Sequence, residues 1–262
     1  MNARAWLAVL AVLVAPATGT GQDLARRVAS IDEGTARITY PARPGVEICD
    51  QGIRMGEHNY LWHSRDWDDQ PRNCRTGPVE IELQVRDGSV RDIEVIRRTA
   101  DRTQGATDLG TVSAQVAADY LLDVARRGGR DRRGEEEAVF PLMLADVQDV
   151  WRDLLEVAKD RNVDEDARTS ALFWVGQEAA DAATEGLADV AMDEDEDQDV
   201  REAAVFALSQ RDPDEGVPIL MQIARTAKEP ETRRSAMFWL AQSEDERVYA
   251  FFEEILLGRG GR

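Results

Sequence analysis

Three stretches of this chain repeat one pattern: residues 166–177 (Asp-Ala-Arg-Thr-Ser-Ala-Leu-Phe-Trp-Val-Gly-Gln), 199–210 and 231–242. The equivalent arginines Arg168, Arg201 and Arg233 stand 33 and 32 residues apart. A period of that length marks arrays in which helix pairs stack, because one pair cannot bury its own apolar face and needs its neighbours. The broad class that follows is a stacked-helix binding scaffold rather than a pocketed enzyme. Such a scaffold does not name its partner.

The columns of the repeat show why it needs stacking. Equivalent positions hold Ala171/Ala204/Ala236, Phe173/Phe206/Phe238, Val175/Leu208/Leu240 and Gln177/Gln210/Gln242. The run Ala-Leu-Phe-Trp-Val at 171–175 has no polar face, which a helix tolerates only when it is covered on most sides. The shared alanine fits a helix crossing too close for a larger side chain. Two residues before each arginine stands an acid, Asp166, Asp199 or Glu231. It falls at a helix N-cap or in the first turn, near the unpaired amides. Two columns are candidates for contact with a partner. Gln177, Gln210 and Gln242 either recur along a ligand-facing edge or satisfy backbone at helix ends; Trp174 and Trp239, whose column Ala207 interrupts, serve packing or recognition.

Acid-x-Arg-x-x-Ala followed by a short apolar run, at this period, resembles HEAT-like repeats, in particular the short bacterial kind also seen in phycobilin-lyase-type proteins. The resemblance covers residues 112–257 and is strongest over 164–257. It implies a mainly α fold, an α-α superhelix of about four helix pairs with the first diverged. It also implies that Asp166, Arg168, Asp199, Arg201, Glu231 and Arg233 form a structural ladder joining consecutive repeats.

Upstream the patterning changes. Arg4 precedes an apolar run at 6–15 that is followed by small residues, the layout of a secretory signal over residues 1–21. Cleavage after Ala17 or after Gly21 fits the small residues, and the second, preferred here, starts the exported chain at Gln22. An uncleaved N-terminal anchor is the alternative. The run is short for a membrane span, and no other segment is apolar enough to cross a bilayer. The expected location is periplasmic or extracellular.

In an oxidising compartment Cys49 and Cys74, the two cysteines of the chain, are expected to pair. The bridge would close a loop of about 25 residues and contribute about 3 kcal/mol on chain-entropy grounds. A zinc site with His58 and His63 and a pair of free thiols are the competing readings; the spacing is unlike that of zinc fingers. Residues 22–110 thus read as a small disulfide-tied module, with a β-hairpin at 79–96 about the Asp87-Gly88 turn and a bulge near Val90. Its apolar face needs support from the strand near Ile38 or from the first helix of the array. Residues 111–262 read as the helical array: a helix stopping before Gly128-Gly129, a charged linker at 130–137, and a second helix from a first-turn Pro141 to Lys159.

The net charge of −19 lies wholly in residues 135–262, which hold 32 acids against 13 bases. Such a surface repels nucleic acid and anionic lipid and favours a partner protein with a basic surface. The scarcity of lysine, only Lys159 and Lys228, fits a salty habitat or genome composition equally well. The acidic run 193–199 fails as an EF-hand loop, with Gln198 where the turn glycine belongs and Ala204 in the place of the bidentate glutamate. No phosphate loop, metalloprotease motif or nucleotide fingerprint occurs, so no catalytic residue, cofactor or metal is expected. The principal expectation is a non-enzymatic exported adaptor. The alternative is a small lyase- or hydrolase-type enzyme, or an accessory subunit of an envelope peptidase or signalling system, with chemistry near His58 and His63 in the aromatic-rich segment 56–68.

Overall fold

The computed structural model describes residues 20–50, 52–55, 58–60, 73–127, 133–177 and 181–257. The signal-like segment up to residue 19, His63 and most of the segment between the cysteines lie outside them. The first helix, α1 (Gly21–Ala29), is started by Thr20. The Thr20 hydroxyl accepts from the Asp23 amide and the Asp23 carboxylate accepts from the Thr20 amide, so two otherwise unpaired donors are satisfied.

Seven strands follow, β1 (Glu33–Tyr40), β2 (Val46–Cys49), β3 (Gly52–Met55), β4 (His58–Tyr60), β5 (Val79–Arg86), β6 (Ser89–Val95) and β7 (Thr107–Thr111). They make a four-stranded sheet of order β6-β5-β1-β7 and a three-stranded sheet β2-β3-β4. The hairpin lies where its alternation put it. Asp87 and Gly88 take φ of 52° and 67°, the left-handed values a two-residue turn demands. Val85 faces Val90 whereas Gln84 faces Asp92, which makes Arg91 the extra residue of a bulge. Of the two expected supports, β1 lies beside β5 as a paired strand, and it is the third helix that packs against β6.

Both faces of β5 are covered. Val79, Ile81, Leu83 and Val85 are buried on one side, and Glu80 and Glu82 on the other. Glu82 survives burial because the Arg37 guanidinium and the Thr103 amide both donate to its carboxylate. Burial alone would raise the Glu82 carboxyl, but the bonds from Thr103 and Arg37 outweigh it and hold the group below the ordinary carboxylate range.

Nine further helices complete the described chain: α2 (Ala114–Arg126), α3 (Arg133–Met143), α4 (Val150–Lys159), α5 (Glu165–Gly176), α6 (Asp181–Met192), α7 (Gln198–Ser209), α8 (Pro213–Thr226), α9 (Pro230–Gln242) and α10 (Glu246–Leu256). The fold is mainly helical with a small N-terminal β region. Helices α5, α7 and α9 pack in succession as one layer, and α4, α6 and α8 as a second, with α10 against α8. One expectation needs correction. Pro141 does not open a helix but sits inside α3, and α4 is a separate helix. The supposed linker supplies the first turn of α3. The helix stops two residues after Pro141, whose missing N–H and ring interrupt the ladder of its last turn.

Sheet and helices share one hydrophobic core. The buried Tyr40 hydroxyl donates to the Pro141 carbonyl at 2.7 Å. Backbone bonds run from Arg43 to Leu144 and from Asp146 to Pro41, around an antiparallel bridge between Ala42 and Ala145. The Cys49–Cys74 disulfide is formed at the end of β2, beside a bridge between Ile48 and Arg75.

Helices α5 and α7 approach so closely that a Cβ placed on Gly176 would stand 2.9 Å from the Ala207 carbonyl oxygen. That approach also explains why the tryptophan column is broken by alanine at 207. Glycine to alanine inside a helix ordinarily stabilises, but at this crossing the added methyl has only backbone to displace. Gly176→Ala is therefore expected to destabilise the protein by about 1–3 kcal/mol, measured by urea unfolding.

Candidate functional site: a cleft between sheet and first repeat

The three arginines of the repeat are used differently. Arg168, with 1% of its surface exposed, donates to the Ala158 carbonyl at the end of α4 and to the carboxylates of Glu196 and Asp197, the residues that lead into α7. Arg201 donates to the Glu196 and Asp193 carbonyls before its own helix and to the Thr232 hydroxyl of α9. Arg233 donates to the Ala227 and Lys228 carbonyls. Each arginine thus pins the loop before its own helix, and the first two also grip the next copy.

The acids expected to complete the ladder lie elsewhere. Asp166, Asp199 and Glu231 occupy first turns, while the N-caps are Asp164, Asp197 and Glu229. Glu231 faces Arg234 within its own helix. The hydrogen bond between Glu165 and Asp199, together with burial, raises the Glu165 carboxyl, as two carboxyl groups in contact demand. A second cross-link went unread in the sequence: Arg211 after α7 donates to the Thr184 hydroxyl of α6 and to Glu215 of α8, and Thr184 donates to Glu215 as well.

The glutamine column marks helix ends. Gln177 and Gln210 are the C-caps of α5 and α7, their amides bonded to carbonyls of the last turn, and Gln242 is the last residue of α9. Trp174 and Trp239 belong to a continuous aromatic ribbon. It runs from Phe140 to Trp174 (centroids 5.3 Å), Trp174 to Phe173 (5.1 Å), Phe173 to Phe206 (6.3 Å), Phe206 to Trp239 (4.9 Å) and Trp239 to Phe238 (5.0 Å). Phe206 bridges the place where Ala207 leaves the tryptophan column open. Trp174 is buried, Phe140, Phe173, Phe206 and Trp239 are half-buried, and Phe238 at the end is 55% exposed.

At the other end the ribbon becomes the floor of a cleft of about 530 Å³. Phe140, Phe173 and Trp174 line it from α3 and α5, and Gly52 and Ile53 from β3. Its remaining side is β6, the outermost strand of the larger sheet. Asp92, Glu94 and Glu137 bring three carboxylates to this cleft, against the single cation Arg97. Glu137 accepts a hydrogen bond from the Ile93 amide at 3.0 Å, so the edge amide that a neighbouring strand would use is met by a carboxylate. Burial, with the Asp92 charge next in weight, raises the Glu94 carboxyl above its ordinary value.

An aromatic floor under clustered carboxylates attracts a cation carried on an apolar stem, a guanidinium or an ammonium group. Of the residues named in sequence as candidates for partner contact, Trp174 lines this cleft, beside Phe173 of the aromatic column. The side chain of His58 and the whole of His63 lie outside the described residues. Among the described residues no cluster of metal-ligating side chains occurs and no helix is long and apolar enough to cross a membrane.

Stacked helix pairs with a repeated arginine and a close alanine crossing define a helical-repeat protein. The match is to HEAT repeats over residues 184–259, which covers the second and third copies and supports a HEAT-repeat domain. No curated protein matches the chain in sequence.

The arginines give a graded test. Removing Arg168 leaves Glu196 buried without its charge partner, which costs about 3–5 kcal/mol in comparable cases. Arg233 lies at a half-buried edge and bonds only to carbonyls. Chemical unfolding should therefore show Arg168→Ala to be far more destabilising than Arg233→Ala, whose loss is expected within about 1.5 kcal/mol.

Proposed function

We propose that this chain is a non-enzymatic, exported adaptor whose helical layers wind as a short superhelix of the bacterial HEAT-like kind, and that it binds a basic segment of a partner protein in the cleft beside β6. The observation that carries this reading is the joint presence of an aromatic floor and three carboxylates in one cleft of about 530 Å³ at a sheet edge. A lysine or arginine of the partner lays its stem on Phe140, Phe173 and Trp174 and its charge among Asp92, Glu94 and Glu137. The acidity of the repeats adds a long-range attraction for the same partner. Repeat arrays lend themselves to this use because stacking produces an extended surface with little cost in fold.

Export rests on the signal-like segment and is supported by the Cys49–Cys74 disulfide. Within this reading the cut falls after Ala17 rather than Gly21, because Thr20 is the N-cap of α1 and its loss would cost about 1 kcal/mol. The intact mass of the exported protein is expected to correspond to a start at Thr18; a start at Gln22 would reverse that placement.

The cleft is tested by charge reversal. The exposed positions Asp92 and Glu94 tolerate substitution without loss of fold. Partners captured by the unaltered protein from an envelope extract are expected to be retained at least about 10-fold less well by Asp92→Lys/Glu94→Lys. They should also be released by salt, and by acidification that begins above the ordinary carboxylate range as Glu94 takes up its proton. Equal retention by the double variant would defeat the proposal.

A further inference from the structure

Every large apolar side chain that is exposed among the described residues lies on α9, on α10 or just beyond: Phe238, Tyr249, Ile255, Leu256 and Leu257. Their places in the repeat explain what this surface is. Helix α10 carries two apolar stripes. Val248 and Phe251 face the stack and are buried, whereas Tyr249, Phe252 and Leu256 follow the three- and four-residue spacing of a second face. On α8 the residues that face the stack are buried at the same three-residue spacing, Val217 and Leu220 as Val248 and Phe251 on α10. The second face of α10 is open on either side of the partly buried Phe252, with Tyr249 69% and Leu256 85% exposed. Phe238 continues the column of Phe173 and Phe206; Phe206 covers the first and Trp239 the second. At Phe238 the open surface therefore continues the one through which each copy receives the next.

Charge decides which occupant this surface suits. Residues 135–227 hold 25 acids and 7 bases, whereas residues 228–262 hold 7 acids and 6 bases. The strong acidity of the array stops short of this end. Two copies would repel one another through any other part of the array, but not here. We propose that two copies of this chain associate end to end through α9 and α10 about a twofold axis. Antiparallel crossing of two α10 helices sets Tyr249 of each copy beside Leu256 of the other, so that one self-complementary face serves both. The contact buries the large apolar side chains that stand exposed among the described residues. It leaves the cleft beside β6 free, at the far end of the aromatic ribbon, and does not depend on the function proposed for that cleft.

Sedimentation velocity of the full chain over a concentration series tests this, with Tyr249→Glu/Leu256→Glu run alongside. Both side chains are exposed, so the double variant should keep its far-UV circular dichroism and melting transition. The unaltered chain is expected to approach twice its 29.2 kDa mass as concentration rises, and the variant to stay at the single mass. A monomer at every concentration for the unaltered chain would overturn the inference, as would a dimer that survives both substitutions. So would a dimer lost in Asp92→Lys/Glu94→Lys but kept in the α10 variant, because the contact would then lie at the cleft.

Discussion

Everything in the helical half follows from inner helices that bury most of their surface between neighbours. In α5 and α7 the run from the shared alanine to the aliphatic residue is covered on nearly all sides, and Ala171, Leu172, Val175, Ala204, Val205 and Leu208 are buried completely. Helices of this kind are stable only between neighbours, so the free energy of each copy is shared with those before and after it. The arginines make the sharing specific. Arg168 and Arg201 reach from one copy into the start of the next, and their donors satisfy loop carbonyls that close packing has removed from water. The same packing fixes small residues at Gly176 and Ala207 and pushes the bulk of the aromatic side chains sideways, which creates the ribbon.

Much of this was legible in the sequence because it is local or periodic. The positions of α5 to α10, the hairpin with its bulge and the cysteine pair all depend on spacing within one short stretch. What escaped depends on residues far apart. The cleft unites β3, β6, α3 and α5, and Glu137 meets the Ile93 amide across 44 positions of chain. Its aromatic floor was half visible in Trp174, but Phe140 lies outside the repeat and carries no signal of its own. Pro141 misled for a related reason. Proline suits the first turn of a helix, where its missing N–H would be unpaired anyway, and its place inside the last turn of α3 runs against that preference.

The ladder shows a different limit. The pattern names which residues recur, yet it is silent on which of several carboxylates takes a given guanidinium. Asp166, Asp199 and Glu231 recur in register in the first turns of their own helices, and Asp199 meets the Glu165 carboxyl of the preceding copy rather than an arginine. Glu196 and Asp197, which lie two positions and one position before α7, have the geometry to reach Arg168. A recurring charge therefore marks a shared requirement of helix starts as readily as a bond between copies.

The seam around Tyr40 has a consequence for how such a protein can change over time. A phenol hydroxyl, a two-alanine bridge and a pair of backbone bonds weld the end of β1 to the turn after α3. Solenoid genes usually grow or shrink by duplicating whole units. Here copies could be added or lost beyond α5 without disturbing that weld, but the leading unit is inherited together with the sheet. Recombination that moved the array onto a different amino-terminal partner would strand the Pro141 carbonyl and dissolve the recess it helps to frame.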